Sequence, residues 1–318
     1  MELIKPDTHI PFLSYRRYAL MFSGVLMVAV LALLFTKGPN LGVDFEGGTM
    51  VHLKFNTDVT IGQVRAALRG AGMGGVVQDF GAGSSHEYLI RMETLGNDIS
   101  TVGQKIRTLL ATDFGDGNFE VLRVESVGPK VGEDLRRRGI LSVIAATIMM
   151  GLYIWIRFEL RFGVGAIVAL VHDVLITMGA LIIADFEFNL PIVAALLTIA
   201  GYSVNDTVVV SDRIRENMGK YRREPMENVI NKSINETLGR TILTTLTSLL
   251  VLVALLTLGG GVIRPFAFAL FVGFLSGVYS TLFIATPTIL YFERGQRRRA
   301  PKKLEEEEVS GEEKGAES

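Results

Sequence analysis

Six apolar segments dominate the sequence and restrict the folds open to it. They cover residues 18–36, 139–156, 164–184, 190–210, 242–258 and 266–292. Because a helix rises 1.5 Å per residue, about 20 apolar residues cross a hydrocarbon core of roughly 30 Å. Hydrophobic residues make up 49% of the chain and the mean hydropathy is +0.37, which is typical of an integral membrane protein. We therefore predict an α-helical polytopic membrane protein with six transmembrane helices.

The basic residues between these segments predict the orientation of the chain. Lys and Arg are concentrated in residues 1–17, in the loop 211–241 and in the start of the tail 293–318, whereas 185–189 contains none. Cytoplasmic loops carry an excess of Lys and Arg, so we expect both termini in the cytoplasm. The three arginines at 136–138 oppose this orientation, but long translocated domains largely escape the rule.

Three flanking segments have their own expected states. The first apolar segment is expected to be an uncleaved signal anchor, since the sequence LLFTKGPN that ends it offers no cleavage site. The loop 211–241 is expected to form an amphipathic helix that is broken near Pro225 and lies along the membrane surface. The acidic end of the tail has too little apolar surface to fold and is expected to be disordered.

Residues 37–138 are soluble in character and predict a small external domain between the first two spans. The expected strands are 50–55, 76–80, 87–92 and 119–127, and the expected helices are 60–71 and 99–112. Thr60 and Gln63 have the spacing of a capping box at the start of the first helix. The order β-α-β-β-α-β is that of a ferredoxin-like α+β domain.

Polar residues inside the predicted spans are the candidate functional residues. Ionisable groups are costly in hydrocarbon, so they mark functional sites by default. A carboxylate, an arginine and hydroxyl groups on one helix face could form a proton or water path, and the residues assigned to it are Asp206, Arg240, Asn205, Asp173, Thr244 and Ser248. The alternative for Asp206 is a fixed structural partner of Arg240. His172 and Asp173 could equally be helix contacts, and the hydroxyl stripe by itself favours packing.

The sequence offers little support for a catalytic site. Cys is absent, the GxGD motif of intramembrane aspartyl proteases is missing, and the four His residues show no HExxH spacing. No phosphate-binding loop is present, so any energy for work must come from a partner ATPase or an ion gradient. We expect a transport protein with no catalytic residue, cofactor, metal or nucleic-acid partner.

Three separated motifs resemble one known family. They are GVDFEGGT at residues 42–49, VGPKVG at 127–132 and GYSVNDTVVVSDRIREN at 201–217. These stretches are similar to the signatures of the SecF family of protein-export membrane proteins, which belongs to the RND superfamily. The resemblance covers residues 1 to about 295, including the order of one span, an external domain and five further spans.

The resemblance implies partners and a location in the bacterial inner membrane. The expected partners are SecD, the SecYEG channel and the SecA ATPase, with YajC and YidC as further candidates, together with translocating preproteins and membrane lipid. The family is thought to use the proton-motive force in late steps of translocation, although sodium as the coupling ion stays open. By residue match, Asp206 and Arg240 correspond to the proposed proton pathway.

These assignments lead to a mechanistic hypothesis. Protonation of Asp206 would weaken its attraction to Arg240, shift the last three spans and move the external domain. The glycine-rich motif after the first span would then be the coupling joint, formed by Gly42, Asp44, Glu46, Gly47 and Gly48. A plain turn into the first strand is the alternative for this motif. The rival functions are a small-molecule exporter of the same superfamily and a structural subunit that stabilises SecD.

Overall fold

Six long helices form the membrane part of the protein in a computed structural model that describes residues 9–79, 86–92 and 99–293. Each helix is long and apolar enough to cross a membrane, which confirms the predicted fold class. The helices are α1 (Arg16–Thr36), α5 (Pro129–Arg157), α6 (Leu160–Ile183), α7 (Leu190–Lys220), α8 (Met226–Leu258) and α9 (Gly260–Ser280). A π-helical turn, Thr281–Ala285, continues α9, and the helical segment runs on to Glu293. The predicted disordered tail falls almost wholly on residues 294–318, which lie outside the described residues.

The segment 211–241 is helical with one break, as expected, but its two halves continue α7 and α8 and do not form a separate helix. Only residues 221–225 are non-helical, so the break near Pro225 is where the sequence placed it. On either side, α7 and α8 continue as one antiparallel pair. Arg213 Nε donates to Glu236 Oε2 at 2.6 Å, and Asn217 Nδ2 donates to the buried Ser233 Oγ at 3.0 Å. The polar faces of the two helix ends pair with each other, so these segments are extensions of the spans.

Helix α5 begins ten residues before the predicted span, at Pro129. Proline suits the first turn of a helix because its missing N–H would have no partner there. The charged residues that follow form a helical face, on which Arg138 pairs with Asp134 at 2.7 Å. The external domain therefore passes directly into a helix with no flexible linker.

The external domain has the predicted ferredoxin-like order. Its strands are β1 (Gly48–Phe55), β2 (Val76–Asp79), β3 (Glu87–Met92) and β4 (Phe119–Val127), and its helices are α3 (Ile61–Gly70) and α4 (Ile99–Phe114). The sheet order is β2-β3-β1-β4 with every neighbouring pair antiparallel. The last residue of the predicted strand 76–80 lies outside the described residues.

Both helices of this domain cover one face of the sheet. Alternate residues of β1, namely Val51, Leu53 and Phe55, are buried in a core shared with Val64 and Ile106 of the helices. The start of α3 has the predicted Thr60–Gln63 contact, in which Thr60 N donates to Gln63 Oε1 at 2.8 Å. The opposite face of the sheet lines a cleft of about 460 Å³ whose other wall is the end of the helix bundle nearest the domain.

Helix α9 is the most enclosed of the six long helices and packs against α6, α7 and α8. Its small residues allow this close approach. A Cβ at Gly273 would lie 2.4 Å from Ile199 of α7, and one at Gly277 would lie 3.3 Å from Ser203. Gly273 and Gly277 have the GxxxG spacing of close helix contacts, and this contact is made with α7.

Candidate functional site

Asp173 is the most deeply buried carboxylate among the described residues, with no exposed surface. Serine side chains from two other helices surround it. Ser203 Oγ of α7 and Ser280 Oγ of α9 each donate to Asp173 Oδ2 at 2.7 Å, and Ser276 Oγ of α9 donates to Oδ1 at 2.6 Å. His172 Nδ1 lies 3.2 Å from Oδ1. These four donors can satisfy both oxygens of an ionised carboxylate, and they tie α6 to α7 and α9.

A second polar contact lies four residues beyond Ser203 on α7 and one residue beyond Ser280 on α9. The hydroxyl oxygens of Thr207 and Thr281 are 3.0 Å apart, and both residues are buried. Thr281 opens the π-helical turn of α9 and directly follows Ser280. Single π-helical turns occur frequently at functional sites, because the extra residue locally rearranges the helix hydrogen bonds. The buried polar contacts between the helices therefore lie next to the π-helical turn of α9.

Asp206 lies on the same face of α7 as Ser203, but unlike Asp173 it has a carboxyl oxygen without a hydrogen-bond partner among the described residues. It is only 4% exposed, and within the described residues its Oδ2 has no hydrogen-bond partner. Arg240 on α8 is close enough to interact electrostatically with it, but no ion pair joins the two within the described residues. A buried carboxylate oxygen without a donor is costly, so this group has a strong reason to take up a proton or a new partner.

Arg240 is exposed at the edge of a cleft of about 540 Å³ near the polar ends of α7 and α8. The cleft is also lined by Arg157, Asp212 and Glu216. The arginine side chain is therefore not held in the packed core, and it lies near Asp206 without forming an ion pair with it. The predicted pairing of Asp206 with Arg240 stays a prediction.

The predicted hydroxyl stripe on α8 is divided between the inside and the outside of the bundle. Thr241 and Thr245 are buried, and Thr245 Oγ1 accepts from Tyr202 Oη at 3.3 Å. Thr244 and Ser248 instead donate to carbonyls of their own helix, at 3.0 Å each. The structure does not bring these two together with Asp206, and Asn205 likewise lies on an exposed face of α7.

The glycine-rich motif forms a short helix, α2 (Val43–Glu46), instead of a plain turn. Two left-handed residues follow it, Gly47 with φ +78° and Gly48 with φ +116°, a conformation that glycine adopts without strain. A Cβ at Gly47 would lie 2.8 Å from Pro129 Cα, so α2 is held directly against the start of α5. Glycine is required here both by backbone angle and by close approach.

The remaining residues of the motif connect three parts of the chain. Asp44 Oδ2 accepts from the backbone N of Leu190 at 2.9 Å, at the first turn of α7. Glu46 Oε2 pairs with Arg91 Nη2 of β3 at 2.7 Å, and Arg91 also donates to the Leu41 carbonyl. Gly42 N donates to the Phe188 carbonyl at 2.8 Å. The five predicted joint residues therefore lie where the external domain meets the helix bundle.

Sequence reasoning missed the serines around Asp173 and the Thr207–Thr281 contact. Ser276 and Ser280 are four residues apart and so share a helix face, which is the signal that could have identified them. Serine is common in membrane helices as a packing residue, however, so this spacing could not be connected to Asp173 without the tertiary structure.

Comparison with known proteins places these features in a family. The family model described as "Protein export membrane protein SecD/SecF, C-terminal" matches residues 107–295, and the "SecD/SecF GG Motif" matches residues 32–59. The chain is 44% identical to the protein translocase subunit SecF of Calditerrivibrio nitroreducens, over 94% of this chain and 99% of that one. It is 43% identical to that of Magnetococcus marinus, over 96% and 99%.

Solved structures give the same relationship. The crystal structure of SecDF from Thermus thermophilus, a translocon-associated membrane protein, superposes with a TM-score of 0.83 at 36% identity. The match covers 92% of this chain and 40% of the SecDF chain. A second SecDF structure, in a super-membrane-facing form, gives a TM-score of 0.69. By family model, sequence identity and fold, the chain belongs to the SecD/SecF family of protein-export membrane proteins.

Proposed function

We propose that the chain works as a membrane subunit of a Sec-type protein translocase, the role that the names of its relatives give to SecF, and that protonation of Asp206 drives its movement. The observation that carries the second part is the buried, unpartnered oxygen of Asp206 near the exposed side chain of Arg240. A proton satisfies that oxygen and removes the charge that attracts the arginine.

Movement at Asp206 has a direct route to the outer face of the bundle. Asp206 is on α7, whose first turn is capped by Asp44 of the glycine-rich motif. The same motif is packed against α5 and paired to β3 of the external domain. A shift of α7 along or about its axis therefore displaces the motif and the domain with it. This mechanism needs no covalent catalysis by the chain.

An exposed polar face supports a second membrane subunit as partner. Asn205, Arg240 and Thr244 are all exposed although they belong to membrane-spanning helices. Polar side chains are rarely directed at lipid, so this face is suited to another protein surface. The chain matches 40% of the SecDF chain, and we assign the missing partner to a SecD-type half. SecYEG, SecA, YajC, YidC and preproteins are further proposed partners, in the bacterial inner membrane with both termini cytoplasmic.

The decisive experiment compares export driven by a proton gradient in inverted membranes that carry the wild-type chain or Asp206→Asn. Asparagine keeps the size of the side chain but mimics the neutral acid permanently. We expect the gradient-dependent part of export to be lost and the ATP-dependent part to remain. Asp212→Asn is the matched control, because Asp212 is an exposed carboxylate on the same helix.

Two results would contradict the proposal in different ways. Undiminished gradient-dependent export by the Asp206→Asn chain would show that this carboxylate does not couple protons to movement. Co-purification of the variant with the partner subunit in normal yield, together with lost coupling, separates a proton-driven role from a purely structural one. Loss of the complex itself in the variant would favour the structural role.

A further inference from the structure

The connection between α6 and α7 touches both the glycine-rich motif and the external domain. It comprises residues 184–189, on the outer side of the bundle in the proposed orientation. Two backbone hydrogen bonds join it to the segment before α2. Phe188 N donates to the Asn40 carbonyl at 2.6 Å, and Gly42 N returns a bond to the Phe188 carbonyl at 2.8 Å. We call this contact, residues 40–48 with residues 184–190, the outer joint.

Glu187 lies in the outer joint, where one of its carboxyl oxygens has no hydrogen-bond partner among the described residues. Its Oε1 is buried and has no hydrogen-bond partner within the part of the chain that the structure describes. Its Oε2 would lie 3.7 Å from a Cβ placed on Gly42, so the carboxyl group sits against the backbone of the joint. Because burial of an ionised carboxylate without donors is costly, the docked joint favours the neutral acid.

The charges around Glu187 add to this preference. Three carboxylates interact electrostatically with it, namely Asp44 and Glu46 on α2 and Glu125 on β4. The cation that faces it, Arg91 of β3, is already paired with Glu46 and bonded to the Leu41 carbonyl. The other charged or titratable groups that line the adjoining cleft are Asp185, Asp79, His52, Arg65, Arg123 and Arg264. Of these, Arg123 is paired with Glu125.

We propose that Glu187 is a proton-binding group on the external side of the protein, and that its protonation holds the external domain docked on the helix bundle. The chemistry is a single proton bound to a carboxylate oxygen in the joint and released to the outer solvent when the joint opens. Nothing in this proposal requires Asp206, so the site is independent of the proposed export mechanism.

The direction of the pH dependence follows from the surroundings of the carboxyl group. Burial raises the pKa of Glu187 above its ordinary value of 4.5; Arg91 opposes this effect, whereas Asp44, Glu46 and Glu125 add to it. The docked joint therefore binds a proton more tightly than the open joint does. Docking is strongest below the ordinary pKa, weakens as the pH rises through the raised pKa and is weakest above it. An acidic exterior, as in an energised bacterium, thus favours the docked state.

The test measures the distance across the cleft in the full chain as a function of pH. The sequence contains no Cys, so two introduced cysteines can be spin-labelled without background. Gln78→Cys on β2 and Val262→Cys on α9 place one label on each wall of the cleft. Pulsed electron resonance in lipid nanodiscs then reports the docked and open populations as the pH is raised from the ordinary carboxyl pKa of 4.5.

We expect the docked population of the parent protein to fall as the pH rises, and that of Glu187→Gln to stay high throughout. Glutamine has the shape of the neutral acid and cannot release a proton. Asp113→Asn is the matched control, since Asp113 is an exposed carboxylate on α4, which covers the face of the sheet that is turned away from the outer joint. This control should keep the pH dependence of the parent protein.

The proposal is overturned if the parent protein shows no change in distance with pH, or if Glu187→Gln retains the full change. Loss of the pH dependence in Asp113→Asn would likewise contradict the assignment of the proton to Glu187. Export is not measured, so failure here leaves the role of Asp206 untouched, and failure of the export experiment leaves this result standing.

Discussion

Asp173 and Asp206 show how two buried carboxylates in one bundle can have opposite roles. Asp173 has both oxygens satisfied by hydroxyl groups and by its histidine neighbour, whereas Asp206 has one oxygen without a partner. A fully satisfied network makes a structure rigid, and an unsatisfied group favours a change of state. We therefore propose that Asp173, which the sequence placed in the proton path, instead holds the helices in register, and that Asp206 is the coupling residue.

At the scale of the residue, Asp173→Asn tests this division. The amide nitrogen cannot accept the hydroxyl hydrogens that the carboxylate oxygen accepts, so one side of the serine cluster loses its acceptor. We expect the free energy of unfolding to fall by about 1–2 kcal/mol, in line with interhelical hydrogen bonds in membrane proteins. Titration with a denaturing detergent, followed by circular dichroism, measures the change.

The control for this experiment is Ser276→Ala, which removes one of the three serine donors. Its effect should be smaller than that of Asp173→Asn, because the remaining donors still satisfy the carboxylate in part. Equal stability of the parent protein and Asp173→Asn would show that the cluster does not hold the helices together.

At the scale of the element, the contact between α7 and α9 depends on a glycine. Gly273 faces Ile199, a β-branched residue with no exposed surface that cannot easily move aside. The backbones of the two helices can therefore approach closely enough for Ser203, Ser276 and Ser280 to reach Asp173. The polar cluster around Asp173 therefore depends on the close packing of α7 and α9.

Gly273→Ala is expected to destabilise the protein by about 1–3 kcal/mol, the usual cost of overpacking a buried contact. Gly201→Ala on α7 is the matched control: no atom lies within 4 Å of its added Cβ, so we expect unchanged or slightly increased stability. Thermal unfolding in detergent compares the two variants. In combination with Ile199→Ala, the cost of Gly273→Ala should fall; additive effects of the two changes would contradict the proposed clash.

At the scale of the whole molecule, the external domain is attached to the bundle by contacts of several kinds. The domain runs directly into α5, the glycines of the motif pack on the start of that helix, and Arg91 bridges β3 to the motif. The connection to α5 is covalent and the glycine contact is tightly packed. Arg91, in contrast, makes polar contacts that water can replace. Arg91 is therefore the contact that can open without unfolding the domain.

Arg91→Met should weaken docking and leave the fold of the external domain intact. Methionine keeps most of the apolar stem but removes the pair with Glu46 and the bond to the Leu41 carbonyl. We expect a several-fold increase in the open population in the distance measurement across the cleft, with unchanged circular dichroism. Arg69→Met, at an exposed cation of the same domain, is the control; an identical effect of both variants would rule out a specific role for Arg91.

The sequence by itself determined the six spans, the order of the external domain and the candidate Asp206. Hydropathy, strand alternation and helix caps are local properties, so they are visible in a linear chain. The resemblance of the sequence to a known family also predicted that the glycine-rich motif joins the external domain to the helix bundle.

Only the tertiary structure decided which polar groups meet. Asp173 and Ser280 are 107 residues apart in the chain, and Arg91 and Glu46 are 45 apart, so no local pattern connects them. The same holds for the ends of α7 and α8, which remain helical because their polar faces pair with each other. Nothing in the sequence distinguishes Glu187 from the other acidic residues. One of its oxygens is buried without a partner because folding brings the α6–α7 connection against the glycine-rich motif.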